Sequence, residues 1–315
     1  MDTIAVVNKN VAYGVLAACG AQTLVGASAA VSVLLVNYPV LGGQALRYAV
    51  ATLIFLMIAR AQGIVLVKLD RRDVLRLMLL SATGLVGFNV CILLALRYTQ
   101  PTTLGTVIGC TPIVLALATP LLEGQRPGLR LVGAAVLVSL GAAIAQGFGG
   151  GDPIGFLLAA GALAGGVLFS LLAVPLLPKL GALRLSMYVC GAAVPMLLLA
   201  GILADGSGVV RMPTVQELLA LAYLSLLLSA LAFLLWYSAI VRLGADRAGL
   251  FTGLVPVAAA GASMALGTGR PSGAQLVGMA LVVFGVLVGL GAKSASRPEG
   301  AHGDLRRAAR AGPMR

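Results

Sequence analysis

The stretch 95–141, ALRYTQPTTLGTVIGCTPIVLALATPLLEGQRPGLRLVGAAVLVSLG, recurs from residue 239 as AIVRLGADRAGLFTGLVPVAAAGASMALGTGRPSGAQLVGMALVVFG. Laid over each other without a gap, 239 on 95 and so at an offset of 144 residues, the copies share Ala95 and Ala239, Gly105 and Gly249, Pro112 and Pro256, and the pairs Arg126-Pro127 and Arg270-Pro271. One inserted residue then brings Leu131-Val132-Gly133 onto Leu276-Val277-Gly278. A duplication of this length makes the chain two homologous halves, so whatever one half folds into, the other must fold into as well.

The chain of 315 residues is 60% hydrophobic and only 10% charged, with a mean hydropathy of +1.03. That balance excludes a water-soluble globule with a solvated surface. Its apolar residues fall in runs of about 18 to 25, the length at which a helix rising ~1.5 Å per residue crosses ~30 Å of hydrocarbon. A β-barrel would instead alternate in segments of about ten residues. Ten such runs are expected to be spans: 11–35, 41–59, 74–96, 102–122, 129–146, 154–176, 183–203, 215–237, 248–266 and 273–292. The breaks carry Gly, Pro and charge, as in Asn37-Tyr38-Pro39 and Gly149-Gly150-Gly151-Asp152-Pro153.

Ten spans leave both termini on one side, and the basic residues sort accordingly. One side collects Lys9, Arg60, Lys68, Arg71, Arg72, Arg76, Arg126, Arg130, Lys179, Arg184, Arg242, Arg247 and the basic tail; the other holds Arg97, Arg211 and Arg270, with Arg47 inside a span. This asymmetry puts both termini in the cytoplasm; the cell (inner) membrane is the expected location. Each half makes five crossings, an odd number, so the second enters from the opposite face. The expected fold class is an all-α integral membrane protein of ten transmembrane helices in two inverted five-helix repeats. Its organisation is then a cytoplasmic N-terminus at 1–10, a first repeat at 11–146, a linker at 147–153, a second repeat at 154–292 and a disordered basic cytoplasmic tail at 293–315. The net charge of +12 belongs to this sorting. The expected partners are therefore the lipid bilayer and a small-molecule solute, with no nucleic acid, and homo-oligomerisation is left open.

The paired motifs give the chain its likeness. Arg47-Tyr48, Ala95-Leu96-Arg97-Tyr98-Thr99, Pro112 and Gly124-Gln125-Arg126-Pro127 in the first half resemble the EamA-like branch of the drug/metabolite transporter superfamily. So do Trp236-Tyr237, Arg242-Leu243-Gly244-Ala245, Pro256 and Arg270-Pro271 in the second. The resemblance spans about 11–292 and implies ten helices, no cofactor, and movement of a small organic solute, often outward. The family's usual Gly-Glu-Arg turn before the last helix of each repeat is altered, with Gln125 and Gly269 in place of the glutamates.

Polar groups inside lipid are costly and so mark candidate sites. Arg47 either snorkels outward or turns a fork of donors toward a carboxylate or phosphate. Thr99, Thr103, Thr106 and Cys110 form a polar stripe on the fourth span, ending at Pro112. Pro112 deprives the carbonyl of Ile108 of its helical donor, and Pro256 does the same to Thr252; the result is either a bent, cavity-lining helix pair or a kink patched by threonine hydroxyls. Gln22 and Asn89 either read a solute or join helices. Trp236 and Tyr237 either anchor a span end or wall a cavity. The candidate solute-binding residues are thus Gln22, Arg47, Asn89, Thr103, Thr106, Cys110, Trp236, Tyr237 and Thr252, with kinks at Pro112 and Pro256.

The leading reading is a transporter of an amino acid or related metabolite, directed outward and working by alternating access. The alternatives are a membrane enzyme acting on a lipid-linked substrate and a non-transporting scaffold. An enzyme finds no catalytic constellation here, since the single histidine, His302, is in the tail and no metal-ligand spacing occurs. All ten acidic residues fall in loops, tails or span ends, with Glu123 and Glu217 expected to be hydrated at the interface. No midplane proton carrier is visible, which favours a facilitator or exchanger. A reporter fused after Arg315 should read out as cytoplasmic; an external signal would overturn both the topology and the inversion.

Overall fold

The computed structural model describes residues 2–65, 67–265, 267 and 271–291; the tail at 293–315 with His302 lies outside the described residues, as does Arg270. Among the described residues ten helices are long and apolar enough to cross a membrane. They are α1 Lys9–Leu35, α2 Val40–Ala61, α3 Arg71–Ala95, α4 Pro101–Leu122 and α5 Leu129–Gln146 in the first half. Those in the second half are α6 Pro153–Leu171, α7 Leu177–Asp205, α8 Val215–Leu243, α9 Ala245–Ala265 and α10 Gly273–Leu290. The end of the bundle where α1 begins is the near face, and the other the far face.

The bounds follow local chemistry. α6 stops at Leu171 rather than at 176 because Pro175 has no N–H for the Leu171 carbonyl. α8 continues past Tyr237 to Leu243, where Gly244 at φ 88° turns the chain. A first turn of α7 is set off from the main helix by Gly181 at φ 68°. Asp70 caps α3 and Thr214 caps α8. The outer surface is apolar, with Leu16, Leu53, Met57, Leu203 and Leu287 all more than half exposed, as a hydrocarbon solvent requires.

The helix pairing is unchanged when the halves are exchanged. α2 packs on α7, α5 on α10 and α4 on α9, each with its own counterpart; α1 packs on α8 and α9, as α6 packs on α3 and α4. The irregular segments obey the same rule. A π-helical segment interrupts α3 at Ser81–Gly87 and α8 at Leu224–Leu231, and the 144-residue offset places Ser81 on Ser225. α4 breaks between Ile108 and Thr111, and α9 passes through a 3-10 turn at Phe251–Gly253, each just ahead of its proline.

Close crossings are made by glycine. A Cβ on Gly165 of α6 would stand 2.8 Å from the Thr83 carbonyl oxygen of α3, and one on Gly285 of α10 would stand 3.0 Å from the Val138 nitrogen of α5. At the α5–α10 crossing Gly141 and Gly278 face each other, and a Cβ on either would meet the other's carbonyl oxygen at 2.6 Å. Backbone on both sides leaves nothing to give way. Gly278→Val should therefore destabilise the bundle by about 1–3 kcal/mol or more, read as a lowered Tm of the detergent-purified protein.

Candidate functional site

The kinked α4 and α9 do not touch along their whole length. Between their breaks, and walled also by α1, α3, α5, α6 and α8, lies a cavity of about 400 Å³. Its wall is aromatic, from Phe88, Phe169, Phe233 and Trp236. The Phe169 ring tilts against Phe233 at 5.1 Å between centroids and stacks on Tyr237 at 5.2 Å, while Phe233 meets Tyr48 at 6.2 Å. Such contacts fix ring positions and hold the wall open.

The polar groups of the wall divide into two kinds. The hydroxyls are turned back on their own helices: Thr111 Oγ1 donates to the Ile108 carbonyl at 2.6 Å, and Thr252 Oγ1 to the Gly249 carbonyl at 2.8 Å. The carbonyl freed by Pro112 is thus satisfied by a threonine hydroxyl one residue earlier in sequence. The amides of Gln22 and Gln146 make no hydrogen bond among the described residues, and both line the cavity. Each offers two N–H donors and an oxygen acceptor.

Of the residues singled out from sequence, Gln22, Trp236, Thr252 and Pro256 line the cavity. Trp236 and Tyr237 lie well inside α8, not at its end, because the helix runs on to Leu243. Tyr237 is fully buried behind Phe169. Arg47 does not snorkel: it is 8% exposed, inside the bundle, one layer behind the wall. Asn89 Nδ2 donates to the Leu85 carbonyl at 2.6 Å, away from the cavity, and Pro112 opens the second segment of α4 outside the lining.

The threonine stripe has another partner. Thr99 and Thr103 both donate to the Gly150 carbonyl at 3.1 Å, and Thr106 donates to the Gly147 carbonyl at 2.9 Å, pinning the linker at 147–151 to α4. Cys110 adds a weak contact to the Thr106 carbonyl. The linker passes so close that a Cβ on Gly149 would stand 3.0 Å from the Thr103 nitrogen. Sequence reasoning misses Gln146, which closes a span, and the three phenylalanines. One signal was available for the glutamine: a Cβ on the repeated Gly105 would stand 2.8 Å from the Gln146 amide, so that glycine is what lets the amide lie across α4.

Apart from Arg47, the described charged residues keep to the two ends. On the near face Lys179 pairs with Asp73 and, at 3.8 Å, with Asp70. The Asp73 N–H, donating to Asp70, holds that carboxyl below its usual range, with Lys179 helping. On the far face Arg211 takes Glu217 with both nitrogens, donates to the Asn37 carbonyl at 3.1 Å and lies over the Tyr38 ring at 4.9 Å. Pairing with Glu217 raises the Arg211 guanidinium above its ordinary value. Glu217 is therefore not a hydrated interface acid; it is 5% exposed because it caps α8 and binds Arg211 at once. The offset that relates the halves puts Asp70 and Asp73 on Thr214 and Glu217, so the two clamps are counterparts on opposite faces. Glu123 is exposed beside a second cavity of about 680 Å³ at the near face, flanked by Arg242 and Arg247. Burial, and then Asp246, push its carboxyl up.

The sequence model of the EamA-like transporter family matches residues 12–146 and 153–290. The chain is 29% identical over 285 residues to the uncharacterized transporter YetK of Bacillus subtilis (strain 168), covering 88% of this chain and 86% of that one. A solved crystal structure, 22% identical, superposes with a TM-score of 0.75 over 88% of this chain and 96% of its own, a likeness of fold.

Thr106→Val removes the hydroxyl that holds Gly147. It should cost about 0.5–1.5 kcal/mol per hydrogen bond lost and speed hydrogen exchange of the 147–151 amides, measured on the intact protein; unchanged exchange would mean that the linker is held by other contacts.

Proposed function

This chain belongs to the EamA-like transporter family, and from that premise we propose that it carries a small organic solute, an amino acid or related metabolite with an apolar or aromatic body, outward across the cell (inner) membrane. The observation that carries this reading is one cavity in which two amides without a hydrogen-bond partner among the described residues, Gln22 and Gln146, share the space with an aromatic wall. Rings take up an apolar body, and amides read polar groups of either sense without demanding a net charge. A size of about 400 Å³ suits a molecule of amino-acid dimensions.

Alternating access is the mechanism that the exchange symmetry supports. In it the five-helix halves, 11–146 and 154–292, act as inverted repeats joined by the linker at 147–153, and the near face with both termini is cytoplasmic. The paired breaks in α4 and α9 and the paired clamps at Asp73 and Glu217 would then be equivalent parts of the two gates. The cavity beside Glu123 would be the cytoplasmic vestibule. A transporter fits the interior better than an enzyme, since the cavity lining holds no nucleophile–base pair and no carboxylate.

The cavity lining offers no acid to exchange a proton for solute, which supports a facilitator or exchanger. In proteoliposomes loaded with a metabolite pool, the protein should release its solute down its own gradient, and Trp236→Ala or Gln22→Leu should slow that flux at least tenfold at equal reconstitution. Flux unchanged in both variants would remove the cavity from the transport path. An imposed pH gradient at zero membrane potential should neither drive nor reverse accumulation. Uphill uptake abolished by Glu123→Gln would show instead that the near-face vestibule carries protons.

A further inference from the structure

Arg47 sits where a charge is costly, and no carboxylate among the described residues answers it. Arg76, Lys179 and Arg211 each pair with a carboxylate, while Arg47 makes no ion pair among the described residues. Its guanidinium lies 4.6 Å from the centre of the Tyr48 ring, and its Nη2 donates to Tyr48 Oη at 2.7 Å. Asn89 Nδ2 reaches the same oxygen at 3.5 Å. Tyr48 Oη therefore accepts twice, while its own proton has no acceptor among the described residues. Arg47 Nε is buried without a partner among the described residues, and so is the Tyr237 hydroxyl, one turn beyond Phe233 on α8. Gln44 Oε1, one turn earlier on α2, is an unmatched acceptor and answers one of these donors at most. The surplus is of donors around an unneutralised cation, and burying such a set is stable only when something anionic completes it.

The cluster adjoins the cavity. The Tyr48 ring touches Phe233, and Phe233 lines the cavity, as does Phe88, the neighbour of Asn89. Phe233 thus borders both the Arg47–Tyr48 pair, through its contact with the Tyr48 ring, and the space assigned to the solute. A planar guanidinium matches a carboxylate with two parallel hydrogen bonds, a fit that an ammonium or an amide does not reproduce.

We propose that Arg47, oriented by Tyr48 and Asn89, is the carboxylate-recognising subsite of the transport cavity, reached when Phe233 turns aside. The solutes carried are then zwitterionic or monoanionic amphiphiles, with the body against Phe169 and Trp236 and the carboxylate on Arg47. This rests on the reading of the cavity as the solute site and adds the charge that the solute must bear.

The test uses two probes that share a body and differ at the carboxyl, L-phenylalanine and L-phenylalaninamide, titrated against the full-length purified protein by thermal shift. The parent should bind the acid at least tenfold more tightly than the amide. Arg47→Gln should reduce that preference below threefold without weakening the amide. Arg47→Lys, which keeps the charge and loses the fork, and Tyr48→Phe, which loses only the hydroxyl, should each weaken the acid alone by at least threefold. They serve also if the glutamine variant does not fold. Full preference retained in Arg47→Gln, or in both milder variants, would overturn the assignment, as would a parent that binds acid and amide equally while Trp236→Ala weakens both; in that last case the cavity reading stands. A parent that binds neither probe would remove the cavity reading and this subsite together.

Discussion

Hydrocarbon offers no hydrogen bonds, so every backbone group that leaves helical pairing must find a partner inside the protein. Much of this structure answers that demand. Pro112 frees the Ile108 carbonyl, and Thr111 takes it. The linker at 147–151 exposes carbonyls at Gly147 and Gly150, and Thr99, Thr103 and Thr106 take those. A chain free to kink only where it carries its own replacement donors keeps its cavity at its kinks. That is why threonine and proline occur together on α4.

Helix count and span positions were legible because they depend on length and hydropathy alone; α5 at Leu129–Gln146 has the bounds read from the sequence. The cavity wall was not legible. In a membrane bundle the lipid face and the packed face are both apolar, so Phe88, Phe169 and Phe233 look no different in sequence from lipid-facing Phe284, which is 57% exposed. Amphipathic contrast, the signal that reveals a buried face in water, is absent. Polar residues did stand out, but their partners are distant in sequence. The threonine stripe was visible as a stripe, while its acceptors lie more than forty residues on, at separations of 51, 47 and 41. The glutamate at 217 was misplaced for the opposite reason: a span-end position suggests hydration, and only the fold brings Arg211 and the Asn37 loop over it.

Most acids and bases among the described residues keep to the ends, among them the counterpart clamps at Asp73 and Glu217. Away from those ends, the buried charged group among the described residues is Arg47, and the other buried polar groups there are amides and hydroxyls. The wall of the central cavity carries rings, amides and hydroxyls and no carboxylate among the described residues, while Glu123 lines the separate near-face cavity.

The π-helical segments in α3 and α8 have a geometric effect of their own. Each turn widened to include one more residue sets the rest of the helix back by about 100° relative to a regular α-helix. On α3 this divides the labour. Before and within the segment, Ser81 faces α7, donating to the Val189 carbonyl at 2.9 Å. After it, Phe88 faces the cavity, and Cys91 lies against Gly161 of α6. One rod thus presents two phases, the first locked to a neighbour and the second turned to the cavity, and α8 carries the same phase change at the equivalent turn. Removing a residue from either segment would restore a regular helix and swing its second phase out of alignment with the cavity, even though every span would still be long enough to cross the membrane.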